Sequence, residues 1–566
     1  MRVSLLFLFV ILFSCRQGPE LTDDATDSSK TAECLDQGMV VCAHPLASEI
    51  GLEVMKQGGN AFDAAVATHF ALAVVYPRAG NIGGGGFAVI HHADSGHYSL
   101  DFRERAPLNG HRDMYLDKDG SVIPQASRLG HLAVGTPGSV DGMWALHQRF
   151  GTLPWSELIS YSVQLAESGF PITEYESVAL NNADSLFRLV NEGSIPFLKE
   201  GGWQADEMLV QTELARTLER IQQYGRDGFY LGETAEAIVQ EMREGGGMLG
   251  EEDLYTYHSV WREPLVGDFK GHEVVSMGPP SSGGIALLQL LEGTEQWGLD
   301  TLSPEHPIRI HRMVELERRV YADRATHLGD MDFYPVPVQG LLDEDYLEGR
   351  FKDISDKKAT PSDEVEAGEI RRLSEETTHY SIIDGQGNAV SVTTTLNGRY
   401  GSKVVVDGTG IILNNEMDDF SVKPGVPNMF GLVGGEANAI APGKRMLSSM
   451  TPTIVLKDGE PKLVIGTPGG STIITSVYQV MLNTLMDGMS LEEAITRKRF
   501  HHQWLPDRIY HESDWSDTDT RQYLEGLGHE LKSRSPIGKV DAILVSEEGC
   551  YIGLGDPRGD DMASGY

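Results

Sequence analysis

LSEETTHYSIIDGQGNAVSVTTTLNGRYG, residues 373–401, crowds threonines around a single histidine, directly after an acidic tract. Alternating apolar residues on either side of Gly385 and Gly387 predict a β-hairpin. No cysteine and no GxSxG serine accompanies it, so any nucleophile here must be a threonine hydroxyl. That hydroxyl is weak unless a base lies beside it. A threonine made the first residue of a chain brings its own base, because a free α-amine has a pKa of about 7.7–8.0. The requirement is scission of the peptide bond before the threonine. A polar segment ending at Glu376 and followed at once by a strand suits that cut, which makes Thr377 the candidate nucleophile. On composition alone, threonines 377, 378, 393, 394 and 395 are simply good strand formers, and the wider chain has to decide.

The chain has 566 residues, 40% of them hydrophobic and 23% charged, with a formal net charge of −37. That length predicts several substructures or one large mixed body. The acidity excludes nucleic acid and anionic membrane as partners and otherwise reads as solubility. MRVSLLFLFVILFSC (1–15) has an apolar run from Leu5 to Phe13, well short of the roughly 20 residues that span a bilayer, and reads as an export signal. Ser14-Cys15 resembles a bacterial lipoprotein cleavage point, with Cys15 as lipid acceptor; ordinary secretion is the alternative. Residues 16–35 read as a polar tether. Cys34, Cys42 and Cys550 form neither a disulfide framework nor a zinc set, although one bridge is open to them.

Helical spacing covers 46–59, ending on Gly58-Gly59, and 60–77 is apolar nearly all round with Asn60 as its cap. Two β-like runs meet at Asp94-Ser95-Gly96. The stretch 140–350 is mostly helical, with 311–325 as an amphipathic example, and 353–376 reads as an exposed segment. Further hairpins turn at Asp458-Gly459 and near Gly549. Hairpins with long buried helices predict antiparallel sheets covered by helices. GNIGGGGF (80–87) lacks the GK[ST] of a phosphate loop, so close backbone packing is the better reading. His501 and His502 are adjacent and lack metal-ligand spacing. No metal and no cofactor is expected.

Set beside TTHYSIIDGQGNAVSVTTTLNGRYG, nine other stretches carry a resemblance across roughly residues 36–566. They are GMVVCAHPLASEIGLEVMKQGGNAFDAA, YPRAGNIGGGGF, DFRERAP, PPSSGG, LNNEMDDFS, KRMLSSMTPTIV, GTPGGS, RFHHQWLPD and GDPR. In this order they resemble the γ-glutamyltransferases (γ-glutamyl transpeptidases). The resemblance implies an α+β fold, the N-terminal-nucleophile hydrolase αββα four-layer sandwich, formed by a precursor that cuts itself between Glu376 and Thr377. The products would be a large subunit, 36–376, and a small one, 377–566, held as a heterodimer. It implies a donor such as glutathione, with water, amino acids or peptides as acceptors.

Residue by residue, the resemblance assigns Arg103 to the donor α-carboxylate, with Ser448 and Ser449 assisting. Glu416, Asp419 and Asn397 fall to the α-ammonium, Gly469 and Gly470 to the oxyanion, and Thr395 to orienting the nucleophile. Each assignment has chemical sense, since a zwitterionic donor needs a cation with hydroxyls at one end and acids at the other. Backbone N–H groups at a helix start suit an oxyanion. His379, two residues beyond Thr377, is not the family's base. Residues between Asp419 and Ser448 correspond to the family's lid loop, in which Phe430 stands where several members carry an aromatic hydroxyl. Two other classes stay open at this point: a cephalosporin-acylase-like glutaryl amidase, and a non-catalytic surface lipoprotein.

Overall fold

The computed structural model describes residues 35–366, 377–423, 425–534 and 536–566. The leader, the tether up to residue 34, Cys15, Cys34 and Glu376 lie outside the described residues. Two antiparallel sheets face each other. The first has seven strands in the order Met562–Gly565, Gly38–Cys42, Thr378–Asp384, Ala389–Thr395, Gly85–His92, Gly96–Phe102 and Val260–Arg262. The second runs Tyr551–Leu554, Asp541–Val545, Glu460–Gly466, Thr453–Lys457, His272–Ser276 and Leu265–Phe269.

Side-chain alternation along these strands builds the layers, because successive residues point to opposite faces of a sheet. Ile383, Ala389, Ile454, Val464 and Ile543 meet in the core between the sheets. Their neighbours Ile382 and Val390 turn instead to the helices outside the first sheet. Val455, Leu463, Ile465 and Ala542 turn to the helices outside the second. The result is the expected αββα sandwich. Strands from before and after residue 377 alternate within the first sheet, where Gly38–Cys42 lies between Met562–Gly565 and Thr378–Asp384. Parting the two segments would break backbone ladders in both sheets.

The helix Ala61–Val75 is buried at every position and opens on a capping box between Asn60 and Asp63, a cap of about 1 kcal/mol. The preceding helix runs Pro45–Lys56, and Gly58 follows at φ +95. The glycine run packs as closely as expected: a Cβ on Gly84 would lie 2.0 Å from the Thr395 carbonyl oxygen.

Two expectations need correction. The segment 311–325 belongs to a helix, Pro307–His327, that has no solvent face over most of its length. Its polar residues are buried in pairs instead: Arg319 with Glu315 at 2.8 Å, Arg309 with Asp487 at 2.6 Å, Arg350 with Asp323 at 2.9 Å. The described part of the tract read as exposed, 353–366, is also anchored. Val365 and Ile354 are buried, and the Trp504 indole donates to the carbonyls of Ser362 and Val365. Cys42 is a free, buried thiol, whereas Cys550 is disulfide-bonded.

Candidate active site

Thr377 immediately precedes the strand Thr378–Asp384. The register that pairs Thr394 with Thr378 puts Thr377 opposite Thr395 one step further along. Thr377 is only 4% exposed and forms part of the wall between two spaces. One is a small cavity of about 20 Å³, lined also by Arg103, Thr395, Asn397, Glu416, Asp419, Ser448, Ser449 and Gly470. The other is an open cleft of about 710 Å³, to which Gly469 contributes. Every described residue singled out for chemistry or donor binding therefore borders one of these two spaces.

Within the small cavity the assigned cation and acids pair with each other. Arg103 is fully buried; its guanidinium donates to Glu416 and, at 2.6 Å, to Asp419 Oδ2. Its Nε donates to the Met446 carbonyl at 3.3 Å. Separate cationic and anionic ends were expected, but desolvated charges in so small a space must neutralise each other. Burial pulls the Arg103 pKa down, and the charges of Glu416, Asp419 and Glu104 outweigh it and hold the group above its ordinary value. Burial pushes the carboxyls of Glu416 and Asp419 up, against the opposing pull of Arg103.

Several polar atoms are left over. The buried Asn397 Oδ1 and Glu416 Oε2 have no hydrogen-bond partner in the structure. Asn397 sits at φ +72 and donates through its amide nitrogen to the Asn415 carbonyl, which leaves that oxygen as the acceptor facing the site. Ser449 Oγ accepts from Arg324 at 2.9 Å, and Ser448 Oγ accepts from the Met450 amide at 3.1 Å. A hydroxyl that is accepting still has its own proton to donate, so both serines suit a carboxylate.

Gly469 and Gly470 adopt φ +141 and +52, backbone that favours glycine, and the helix Thr472–Met481 follows directly. From the segment expected to form a lid, Phe430 and Leu432 line the cavity. With no hydroxyl on Phe430, the loop is held by Asn428, which donates to Asp419 at 2.8 Å and accepts from the amide of Phe430. Gln503 adds a bond from Nε2 to the Phe430 carbonyl at 3.4 Å, and its Oε1 accepts from Ser471 at 2.8 Å.

Three contributors escaped the sequence reading. Gln503 joins the Phe430 carbonyl to Ser471, at the start of the helix Thr472–Met481. Arg324, its pKa lowered by burial to about 10, positions Ser449 from the long buried helix. Glu104 is fully buried 3.6 Å from Arg103, and burial pushes its carboxyl up to about 7. Glu104 and Gln503 each had a local signal, the first beside Arg103 in DFRERAP and the second within RFHHQWLPD, whereas Arg324 had none.

His379 bonds Thr393 Oγ1 at 2.9 Å and Ser381 Oγ at 3.1 Å, and burial lowers its pKa to about 3. It is a neutral, engaged ring rather than a base. His501 is likewise buried between Thr475 and Gln503. Among the described residues, His311, Glu315 and His529 could bring ligand atoms together around a metal ion. Glu315 already holds Arg318 and Arg319, and two guanidiniums oppose a further cation there.

A family model described as gamma-glutamyltranspeptidase matches residues 47–566. A glutathione hydrolase proenzyme of Pseudomonas sp. (strain A14) is 46% identical over 94% of this chain and 94% of its own. The glutathione hydrolase proenzyme of Escherichia coli (strain K12) is 44% identical over 94% and 92% respectively. A crystal structure of cephalosporin acylase from Bacillus halodurans superposes with a TM-score of 0.81 at 25% identity, covering 98% of this chain and 99% of that one.

Proposed function

The chain belongs to the gamma-glutamyltranspeptidase family and is an enzyme of γ-glutamyl transfer and glutathione hydrolysis; from that premise we propose how its residues divide the work. Autocatalytic scission between Glu376 and Thr377 leaves Thr377 as the first residue of a small subunit, 377–566, paired with a large subunit ending at 376. The shared sheets keep the two together after the cut.

The donor's γ-glutamyl group binds at the small cavity, whose present volume of about 20 Å³ admits little more than a water, so binding widens it as the zwitterion parts Arg103 from Glu416 and Asp419. Its α-carboxylate takes Arg103 with the hydroxyls of Ser448 and Ser449, and its α-ammonium takes Glu416, Asp419 and Asn397. A zwitterion thereby exchanges one internal ion pair for two, which conserves charge pairing as water is excluded. Thr377 Oγ then attacks the γ-carbonyl, and the threonine's own amine accepts the hydroxyl proton. Gly469 and Gly470 donate to the oxyanion, and Thr395 orients the nucleophile. Collapse expels the amine half of the donor, protonated by the same α-ammonium, and leaves a γ-glutamyl ester on Thr377. Water, an amino acid or a peptide amine then attacks that ester and regenerates the hydroxyl.

The observation that carries this reading is the pair of unpartnered buried acceptors, Asn397 Oδ1 and Glu416 Oε2, in a cavity walled by Thr377. A glutaryl group lacks the ammonium they would bind, which weighs against the acylase alternative. Gel analysis with mass spectrometry tests the scheme. Wild type should yield two fragments, one beginning at residue 377, while Thr377→Ala stays whole and inactive. An intact wild-type chain that still hydrolyses glutathione would sink it.

No helix among the described residues is long and apolar enough to cross a membrane. We propose export with attachment through a lipid on Cys15, a placement that the disulfide at Cys550 supports. The mass of the mature N-terminus checks it: a lipid-modified Cys15 is expected, and an unmodified one would limit the reading to secretion.

A further inference from the structure

One end of the two sheets holds a histidine pair that the scheme above does not use. Phe87 and Val89 of the strand Gly85–His92 face the second sheet, so the two-residue period brings His91 to the same face. The register sets His97, from the strand Gly96–Phe102, directly opposite it. Their Nδ1 atoms lie 3.2 Å apart. His92 turns the other way and stacks on Phe62. Across the gap, the Glu273 carboxylate of the strand His272–Ser276 in the second sheet lies 2.9 Å from His97 Nε2. Gly85, at the opposite end of its strand, pairs with Thr395. The stretch from Gly85 to His91, at about 3.3 Å per residue, puts the pair about 20 Å from there.

The chemistry of this pair suits a metal ion. A neutral imidazole has one ring proton. With Glu273 accepting that proton at Nε2, His97 keeps a lone pair on Nδ1 and aims it at His91. A ligating histidine characteristically gives its other N–H to a carboxylate, which fixes tautomer and orientation. The separation fits as well. Two nitrogens about 2.0–2.1 Å from one ion are about 2.9 Å apart in a square-planar shell and about 3.3 Å apart in a tetrahedral one. Burial lowers the His91 pKa to about 4, so its ring stays neutral and does not repel a cation. Without an ion, His91 donates its Nδ1 proton across the gap. With one, that proton moves to Nε2 and both Nδ1 lone pairs face the metal. His97 is 22% exposed, which leaves the pair open to solvent. The set of His311, Glu315 and His529 differs in its surroundings, since two guanidiniums hold its carboxylate.

We propose that His91 and His97 form a binding site for a divalent transition-metal ion of the nickel, copper and zinc group, ligated through both Nδ1 atoms and completed by water. Imidazole suits these ions, and a chain of net charge −37 draws cations towards it. Through Glu273 the bound ion ties the hairpin of the first sheet to the second sheet. Its effect is on stability, remote from Thr377, and the site stands independently of the γ-glutamyl reading.

Calorimetric titration of the purified, metal-free protein with copper, nickel or zinc chloride tests the site. A single ion should bind to each chain, copper most tightly. Glu273→Gln should weaken binding roughly 10-fold, and His91→Gln or His97→Gln on the order of 100-fold. Saturating zinc should raise the Tm of wild type and leave that of His97→Gln unmoved. Glutathione hydrolysis by His97→Gln at the wild-type rate should show that its fold is intact. His258, 70% exposed elsewhere on the surface, supplies the control: His258→Gln should bind as wild type does. Absence of binding, or binding and a Tm rise that persist in both His91→Gln and His97→Gln, would overturn the proposal.

Discussion

The two spaces on either side of Thr377 arrange their charges in opposite ways. The small cavity, about 20 Å³, holds one buried guanidinium against carboxylates at hydrogen-bond range. The open cleft, about 710 Å³, is lined by five cations, of which Lys539 and Arg399 lie against the Tyr175 ring. Electrostatics in the first is local and directional, since a desolvated, hydrogen-bonded charge has few alternatives. In the second it is a field, weaker for each residue and screened by salt. The α-amino acid end that we propose for the small cavity is the same in every γ-glutamyl donor, which rewards the fitted arrangement.

The largest break in that contrast should come from Arg103→Leu. Removing the guanidinium strands Glu416, Asp419 and Glu104 in a dry site, at a cost of about 3–5 kcal/mol. The kcat/KM for glutathione should fall on the order of 10²–10⁴-fold. A wild-type value would mean that the small cavity does not hold the donor. Ser449→Ala should do less. It takes a partner from Arg324 and a donor from the substrate carboxylate, about 1–3 kcal/mol together, seen as a raised KM with a smaller change in kcat. Loss confined to kcat would contradict the carboxylate role.

The smallest effect tests how tightly the small cavity is charged. Burial holds the Glu104 carboxyl at about 7, above the roughly 4.3 of an unfolded glutamate. The folded chain therefore binds this proton more tightly than the unfolded one. The stability it confers is fully present below about pH 4.3 and lost as pH rises through 7. Between pH 5 and 8 the Tm of wild type should decline more steeply than that of Glu104→Gln, by a few degrees at most because Arg103 shares the charge. Parallel Tm curves would remove Glu104 from the cluster.

Much of the frame was legible from residue order. The hairpins at Gly385–Gly387, Asp458-Gly459 and Gly549 were marked by turn residues between alternating strands, and the helix Ala61–Val75 by its cap and continuous apolar run. The nine residues of the small cavity that we propose for donor binding and catalysis, Gly469 beside them, lie in short motifs that keep chemistry and backbone shape together. The polar helix Pro307–His327 misled, since charge on a helix usually marks solvent. Here its partners Asp487, Asp353, Arg350 and Ser449 come from distant segments, and no local pattern announces them. The pairing of Arg103 with Glu416 spans 313 positions, and the bond from Gln503 to the Phe430 carbonyl spans 73.

Residue order alone therefore marked which threonine we propose as a chain end, which strands flank it and which short motifs accompany it. These depend on backbone propensity and on neighbours a few positions away. Folding in three dimensions settled which charges neutralise one another, which acceptors are left over, and that scattered cations from 128 to 539 share one cleft. Coulomb interaction and desolvation act through space, and separation along the chain does not encode them.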